Sequence, residues 1–270
     1  MRYVVIFIVA IVIISSLDKP KRQSKFDQQM LEMAQNASDR LPRQQRLSEY
    51  QKGNVIFTID SRHLSEQTIQ DQINRFYPVQ KYSNMFLWKD SGGNYATATA
   101  NGLDFNHHFV NSYLVGIHPF KVENPWLPLY LLSKRKTYQF DKDQYGYEEM
   151  WQNSAQAFEF PRGDCEDHAL ALADWLISEG IDARVAIGDY KDSGHAWVVA
   201  KYNDEMYLLE ATSKRVGKSW SHYPLASLSK HYKPTYMFNR TEFWQNTASS
   251  TTKDYLGSHW VKRSRFENKR

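Results

Sequence analysis

Between residues 165 and 212 the apolar residues change period abruptly, and that change constrains the fold more than any other feature of the chain. Ala169, Leu172, Ala173 and Leu176 recur at helical spacing, and Gly180 is placed to end the helix. Directly afterwards Ile181, Ala183, Val185 and Ile187 alternate with Asp182, Arg184 and Ala186, which predicts a half-buried strand. Two further runs, 194–201 and 206–212, flank Asn203-Asp204 and predict a hairpin. The expectation is therefore a helix, a strand and a hairpin in direct succession.

The helix starts at the chain's single cysteine, Cys165, inside Gly163-Asp164-Cys165-Glu166-Asp167-His168-Ala169. One cysteine forms no internal disulfide, so the thiol is reactive, structural or incidental. At a helix N-terminus the exposed N–H groups and aligned peptide dipoles favour an anion, and so favour thiolate over thiol. A hairpin turning at Asn203-Asp204 sets Trp197 opposite Glu210 and His195 opposite Thr212. His195, Trp197, Glu210 and Thr212 then share one face, with His195 and Glu210 diagonal neighbours about 7–8 Å apart along the backbone. A carboxylate on one imidazole nitrogen fixes the tautomer and leaves the other nitrogen to take a thiol proton. Each residue also has a plainer reading: the cysteine as a small buried hydrophobe, the histidine as a sheet residue, the glutamate as a strand-end charge. The shared face favours the chemical reading. Asp164, Glu166 and Asp167 work against it, because negative charge beside a thiol raises its pKa. The helix dipole, an imidazolium or a bound cation would have to offset them.

The rest of the chain divides by composition. Residues 3–17 carry no charge and predict a membrane-targeting segment. As a helix it would span about 22 Å, short of a hydrocarbon layer of about 30 Å, which suits a signal-peptide core or a short anchor. No small-x-small cleavage pattern follows, so a single-pass anchor over 1–17 is favoured over a cleaved signal. The basic residues after it favour a cytoplasmic body by the positive-inside rule. A polar linker follows over 18–50, then an accessory α/β region over 51–120. There Val55, Phe57 and Ile59 alternate as in a strand, and Ser65 can cap a helix carrying Ile69, Ile73 and Phe76 on one face. Asn101-Gly102 reads as a two-residue hairpin turn between 95–100 and 103–109. Helices are expected over 125–133 and 147–158. The unit carrying the chemistry is placed at 121–245, and a basic, solvated C-terminal tail at 246–270. A net charge of +4 argues against a dedicated nucleic-acid binder. His107, His108 and His118 with Asp104 lack a metal-ligand spacing, and there is no phosphate loop, dinucleotide fingerprint, CxxC pair or HExxH motif.

At three places the chain resembles the bacterial transglutaminase-like cysteine peptidases. Gly163-Asp164-Cys165-Glu166-Asp167 is similar to the family's cysteine motif, Gly194-His195-Ala196-Trp197-Val198 to its histidine motif, and Leu208-Leu209-Glu210-Ala211-Thr212 stands where it has its acid. The resemblance implies a papain-like α+β fold, the cysteine helix packed on an antiparallel β-sheet, and Cys-His-acid acyl transfer by Cys165, His195 and Glu210. Glu210 replaces the usual Asp. In Trp151-Gln152-Asn153-Ser154-Ala155-Gln156, Ser154 and Gln156 replace the Pro and Glu of the family's approach to the cysteine.

The reading expected from this is a membrane-associated cysteine hydrolase of a peptide or amide bond, with an amine acceptor making it a transferase. It expects a protein or peptide substrate, a membrane contact through the N-terminal segment and no nucleic acid. The resemblance gives a weak preference for the exported side. No cofactor is required on this reading, and calcium is left open because some relatives look calcium-dependent through carboxylates flanking the cysteine. Gln152 or Gln156 is a candidate oxyanion donor alongside the Cys165 amide. His168 is assigned a surface or capping role, and Trp151 and Trp197 a place in the core. The alternatives are a catalytically inactive binding or scaffold module of the same fold, and a membrane-surface binder led by the basic tail.

Overall fold

The structure, a computed structural model, describes residues 54–58, 63–77, 85–89, 96–213 and 225–268. The expected anchor at 1–17 and linker at 18–50 lie outside the described residues, and among the described residues no helix is long and apolar enough to cross a membrane.

In chain order the elements are β1 (Asn54–Thr58), β2 (His63–Ser65), α1 (Glu66–Phe76), β3 (Phe86–Lys89), β4 (Ala96–Asn101) and β5 (His107–Phe109). Next come α2 (Leu127–Arg135), β6 (Thr137–Tyr138), α3 (Asp141–Tyr145), α4 (Ser154–Glu159), β7 (Arg162–Gly163) and α5 (Cys165–Ser178). The chain continues with β8 (Asp182–Tyr190), β9 (Ser193–Tyr202), β10 (Glu205–Leu209), β11 (Tyr232–Phe238), β12 (Glu242–Asn246) and β13 (Trp260–Asn268). One antiparallel sheet runs β10-β9-β8-β11-β12-β13-β1-β2, with a smaller antiparallel sheet β3-β4-β5 and a parallel pair β6-β7.

Helix α5 ends as its glycine predicts. Gly180 has φ 82°, and the N–H groups of Gly180 and Ile181 donate to the carbonyls of Ile177 (3.0 Å) and Leu176 (3.0 Å). Those are the two bonds of a Schellman cap, which satisfy carbonyls the helix would otherwise leave open. Residues Ala169, Leu172, Ala173 and Leu176 are buried against Ala183, Val185, Ala196, Val198 and Ala200 of β8 and β9. On the opposite face of the sheet Ala186, Trp197, Val199, Leu208, Met237, Tyr255 and Trp260 form a second cluster. Side chains of a strand alternate between faces, so a sheet covered on both sides shows apolar residues at successive positions, as in Ala196 to Ala200. Truncating a fully buried leucine such as Leu172 to alanine costs about 2–5 kcal/mol.

The hairpin has the register expected, with Tyr207 opposite Ala200 and Leu209 opposite Val198, around Asn203 and Asp204 at φ 49° and 62°. Two adjacent residues in the left-handed region make the tight turn that matches strand twist. The ladder stops at Leu209, however, and residues 210–212 leave the strand. Ser65 caps α1 by accepting from Thr68 N (3.1 Å), and Ile69 and Ile73 are buried. Phe76, expected on that face, is exposed.

Four expectations are corrected. The β4–β5 turn is a loop over 102–106, because Gly102 pairs with Asn106 and Phe105 turns back at φ 60° while Asp104 accepts from the Asn106 amide. The helix expected over 147–158 is confined to Ser154–Glu159, since an Asn153–Gln156 capping box starts it late. The helix expected over 125–133 is shifted to Leu127–Arg135. Most consequentially, the basic C-terminus is no solvated tail: Trp260–Asn268 is a strand paired with both β12 and β1, so β1 and β2 belong to the same sheet as the hairpin.

Candidate active site

Where β10 stops, β9 continues, and the N-terminus of α5 enters the gap between them. The Ala196 amide of β9 faces the sulfur of half-buried Cys165 and favours its charged form, while the thiol donates to Glu166 Oε2 (3.3 Å). One turn along the helix, the Nδ1 of buried His168 meets the Ala211 carbonyl at 3.2 Å. His168 is thus a buried tie between helix and sheet, correcting the surface role expected of it. The parallel pair β6-β7 braces the other side of the helix start, and Gly163 is required there because a Cβ would overlap the Asp167 side chain.

His195 adjoins the amide that meets the sulfur. Its Nε2 lies 2.8 Å from Glu210 Oε2. The Tyr232 hydroxyl donates to that same oxygen at 2.8 Å, while Thr212 donates to Oε1 through its amide (3.0 Å) and hydroxyl (2.6 Å). Burial pushes the Glu210 carboxyl up, but the hydrogen bond and charge of His195 together with Thr212 outweigh it and hold the group below its usual range. The imidazole is walled by Trp197, stacked at 6.1 Å and 20°, by Tyr190 at 5.6 Å and by Tyr232 at 6.3 Å between ring centroids. Three residues singled out in the sequence, Cys165, His195 and Glu210, therefore stand at one break in the sheet.

The Gln152 donor does not serve as expected. The Gln152 amide nitrogen is committed to Tyr145 Oη (2.9 Å) and the Arg162 carbonyl (2.9 Å), and Gln156 is committed to the Asn153 cap. The Gln152 donor is thus consumed in holding the chain before α5, while Gln156 uses its Oε1 to accept from Asn153 N.

Sequence reasoning missed the carboxylates supplied by α3 and the loop after it. Asp141 and Glu149 join Asp164, Glu166 and Asp167 in a cluster next to Cys165. Oxygens of Asp141, Asp164 and Asp167, and of Asp141, Glu149 and Glu166, lie within 4.8 Å of one another. Some bonds anchor the cluster: Asp141 accepts from Met150 N (2.5 Å), Asp167 from Gln152 N (2.8 Å) and Glu149 from Trp151 Nε1 (3.2 Å). Four buried oxygens, Asp141 Oδ1, Asp164 Oδ1, Glu166 Oε1 and Asp167 Oδ2, have no hydrogen-bond partner. Burial first, and then mutual repulsion, push Asp141 up to about 8 and Glu149 to about 7, and Glu166 and Asp167 well above the carboxylate range. Buried Lys136 eases Asp164 and Asp167, but its ammonium is held by the carbonyls of Ala157 (2.6 Å) and Phe160 (3.0 Å). The same burial and the charge of Asp164 push the Cys165 thiol up to about 12, against the Ala196 amide and Glu166. Orphaned, convergent carboxylate oxygens are the donor set of a hard cation such as calcium, which takes six to eight oxygens. The residues present fit such an ion.

Tyr138 is a further residue the sequence did not flag. It lies on β6 opposite Gly163 of β7, and its phenol is raised by burial and then by the charges of Cys165, Asp164, Glu166 and Glu210.

Residues 149–264 match the family model described as the CEP76 peptidase-like domain. No curated protein matches the chain. Among solved structures, Legionella pneumophila LapG (EGTA-treated) aligns at 17% identity over 56% of this chain and 80% of that chain, with a TM-score of 0.34. The matched segment opens at Glu149 in the carboxylate cluster, takes in the cysteine helix and the hairpin, and ends within β13.

Proposed function

We propose that this domain is a cysteine peptidase in which Cys165 is the nucleophile, His195 the base and Glu210 the group that orients the base. One observation carries the reading: the Cys165 sulfur at the start of α5 faces the Ala196 amide of β9, next in sequence to a histidine whose Nε2 is engaged by Glu210 at 2.8 Å. With Nε2–H donated to the carboxylate, Nδ1 is the nitrogen left to accept the thiol proton. The sulfur attacks the substrate carbonyl, and the Cys165 amide at the helix start is a donor for the oxyanion. The C–N bond then breaks as the imidazolium protonates the leaving amine. Water, deprotonated by His195, cleaves the thioester and regenerates the thiol; an amine acceptor in its place makes the same site a transferase.

The oxygens of Asp141, Glu149, Asp164, Glu166 and Asp167 would hold a calcium ion, whose positive charge would relieve the repulsion that keeps Cys165 protonated. The substrate class is a protein or peptide. Residues 3–17 are read as an anchor that keeps the domain at a membrane, with the exported side preferred. Washing membranes with carbonate tests this, since a peripheral protein is released and an anchored one is retained.

The function is tested by treating the calcium-supplemented full chain with a library of peptide vinyl sulfones and measuring intact mass. A single adduct on Cys165, absent from Cys165→Ser and strongly slowed in His195→Ala, is expected. No adduct on wild-type protein would leave a non-catalytic module of the same fold.

A further inference from the structure

Glu210 stands one position beyond the end of β10, where no ladder holds its backbone, and a glutamate has one more rotatable bond than an aspartate. A carboxylate so placed needs side-chain partners to keep one orientation. Among the described residues its donors are His195, Thr212 and Tyr232. Thr212 takes both positions on Oε1, which pins that oxygen but leaves rotation of Oε2 to be fixed by others. Tyr232 fixes it, meeting the oxygen that meets His195. The ring that carries this hydroxyl is itself held firmly, 4.7 Å from Tyr190 and 5.1 Å from Trp197, and Trp197 Nε1 donates to Tyr255 Oη at 3.2 Å. Tyr232 comes from β11, which reaches the site only because β11 pairs with β8, setting Tyr232 opposite Tyr190.

We propose that Tyr232 is a positioning residue: its hydroxyl turns the Glu210 carboxylate so that Oε2 faces His195, which is how a glutamate serves at this place. The inference rests on the reading of Cys165, His195 and Glu210 given above, but its test needs no substrate. Among the described residues the titratable groups facing Glu210 are His195 on β9, Tyr232 on β11 and Tyr138 on β6.

In Tyr232→Phe the carboxylate loses one donor to its charged form, so its titration midpoint rises, by about one pH unit for a hydrogen bond to a charged acceptor partly replaced by water. Carbon-13 labelling of glutamate reads that midpoint in the calcium-loaded full chain, and imidazole nitrogen-15 shifts read the tautomer of His195. The expected result is a raised Glu210 midpoint and a smaller Nε2–H share of neutral His195 in Tyr232→Phe, with neither change in Tyr190→Phe. Unchanged midpoint and tautomer in Tyr232→Phe, or an equal change in Tyr190→Phe, overturns the proposal. Should Tyr232→Phe not fold, 3-fluorotyrosine at 232 keeps the ring and strengthens the donor. It should lower the midpoint instead, and no movement overturns the proposal. A shifted midpoint in a protein that forms no vinyl sulfone adduct would retain Tyr232 as a positioning residue and remove the peptidase reading; the converse result would do the reverse.

Discussion

Removing divalent cations should make this protein less stable as pH rises from 5 to 7, the reverse of ordinary acid denaturation. The reason lies in the five carboxyls behind Cys165. A carboxyl whose folded pKa is raised keeps its proton in the native state while the unfolded chain, with a pKa near 4, has released it. Stability from such a group is complete below the unfolded value and is lost as pH climbs toward the folded one. Asp141, held near 8, and Glu149, near 7, place that window between about pH 4 and 8. Each retained proton costs about 1.4 kcal/mol per pH unit, so one proton shared by the cluster makes about 3 kcal/mol between pH 5 and 7. For a domain of this size that corresponds to a fall in Tm of about 6–12 °C. Calcium replaces the protons, so the loaded protein should show little slope and a higher Tm at pH 7. Differential scanning calorimetry at pH 5, 6 and 7, with calcium and with chelator, measures both. A chelated protein whose Tm is flat or rises over this range, with no response to calcium, would refute the assignment of these oxygens to a cation.

Shortening Glu210 to Asp should lower the rate of thioester formation about tenfold or more, because the shorter arm cannot keep both the Thr212 bonds and the 2.8 Å contact to His195; single-turnover kinetics with an activated ester checks it. Asp174→Ala should destabilise the fold by about 3–5 kcal/mol without altering the chemistry. This buried carboxylate accepts from Gly116 N (2.8 Å), Ile117 N (2.9 Å), Ser154 Oγ (2.5 Å) and Arg240 Nε (2.5 Å), and denaturant unfolding will show whether they depend on it. Gly188→Ala should be among the most damaging single-methyl changes, since a Cβ there meets the Lys233 carbonyl beside the bulge at Pro234; a soluble variant with wild-type Tm would argue that β8 and β11 can part more easily than their pairing implies.

The stretch that proved most legible is the one whose signals are local. The 3.6 period of α5, the glycine that closes it, the alternation of β8 and the turn at Asn203-Asp204 each depend on neighbours in sequence, and the hairpin register followed from the turn alone. The proximity of His195 and Glu210 could be computed from that register, although the ladder ends at Leu209 and the side chain rather than the strand completes the reach. What was not legible comes from distant chain. Nothing local in Trp260–Asn268 announces a partner at Asn54–Thr58, and the run of basic residues looked like solvated surface. Asp141 opens the short helix α3 and Glu149 lies in the loop after it, with no spacing relation to Asp164, so only the folded chain brings them to one place. Tyr232 was one aromatic among many until sheet order set β11 beside β8. His168 was misplaced for a different reason: a polar residue beside the apolar stripe was read as solvent-facing, whereas the Ala211 carbonyl left open by the end of β10 gives it a buried partner.

The central claim is that Cys165 and His195 form one chemical unit, and the rate of Cys165 alkylation by iodoacetamide at pH 6 in the calcium-loaded protein tests it most directly. The account predicts a rate above that of a free thiol, falling by at least tenfold in His195→Ala, because an imidazolium at the sulfur is what sustains thiolate there. A wild-type rate at or below that of the free thiol, and equal to that of His195→Ala, would contradict it.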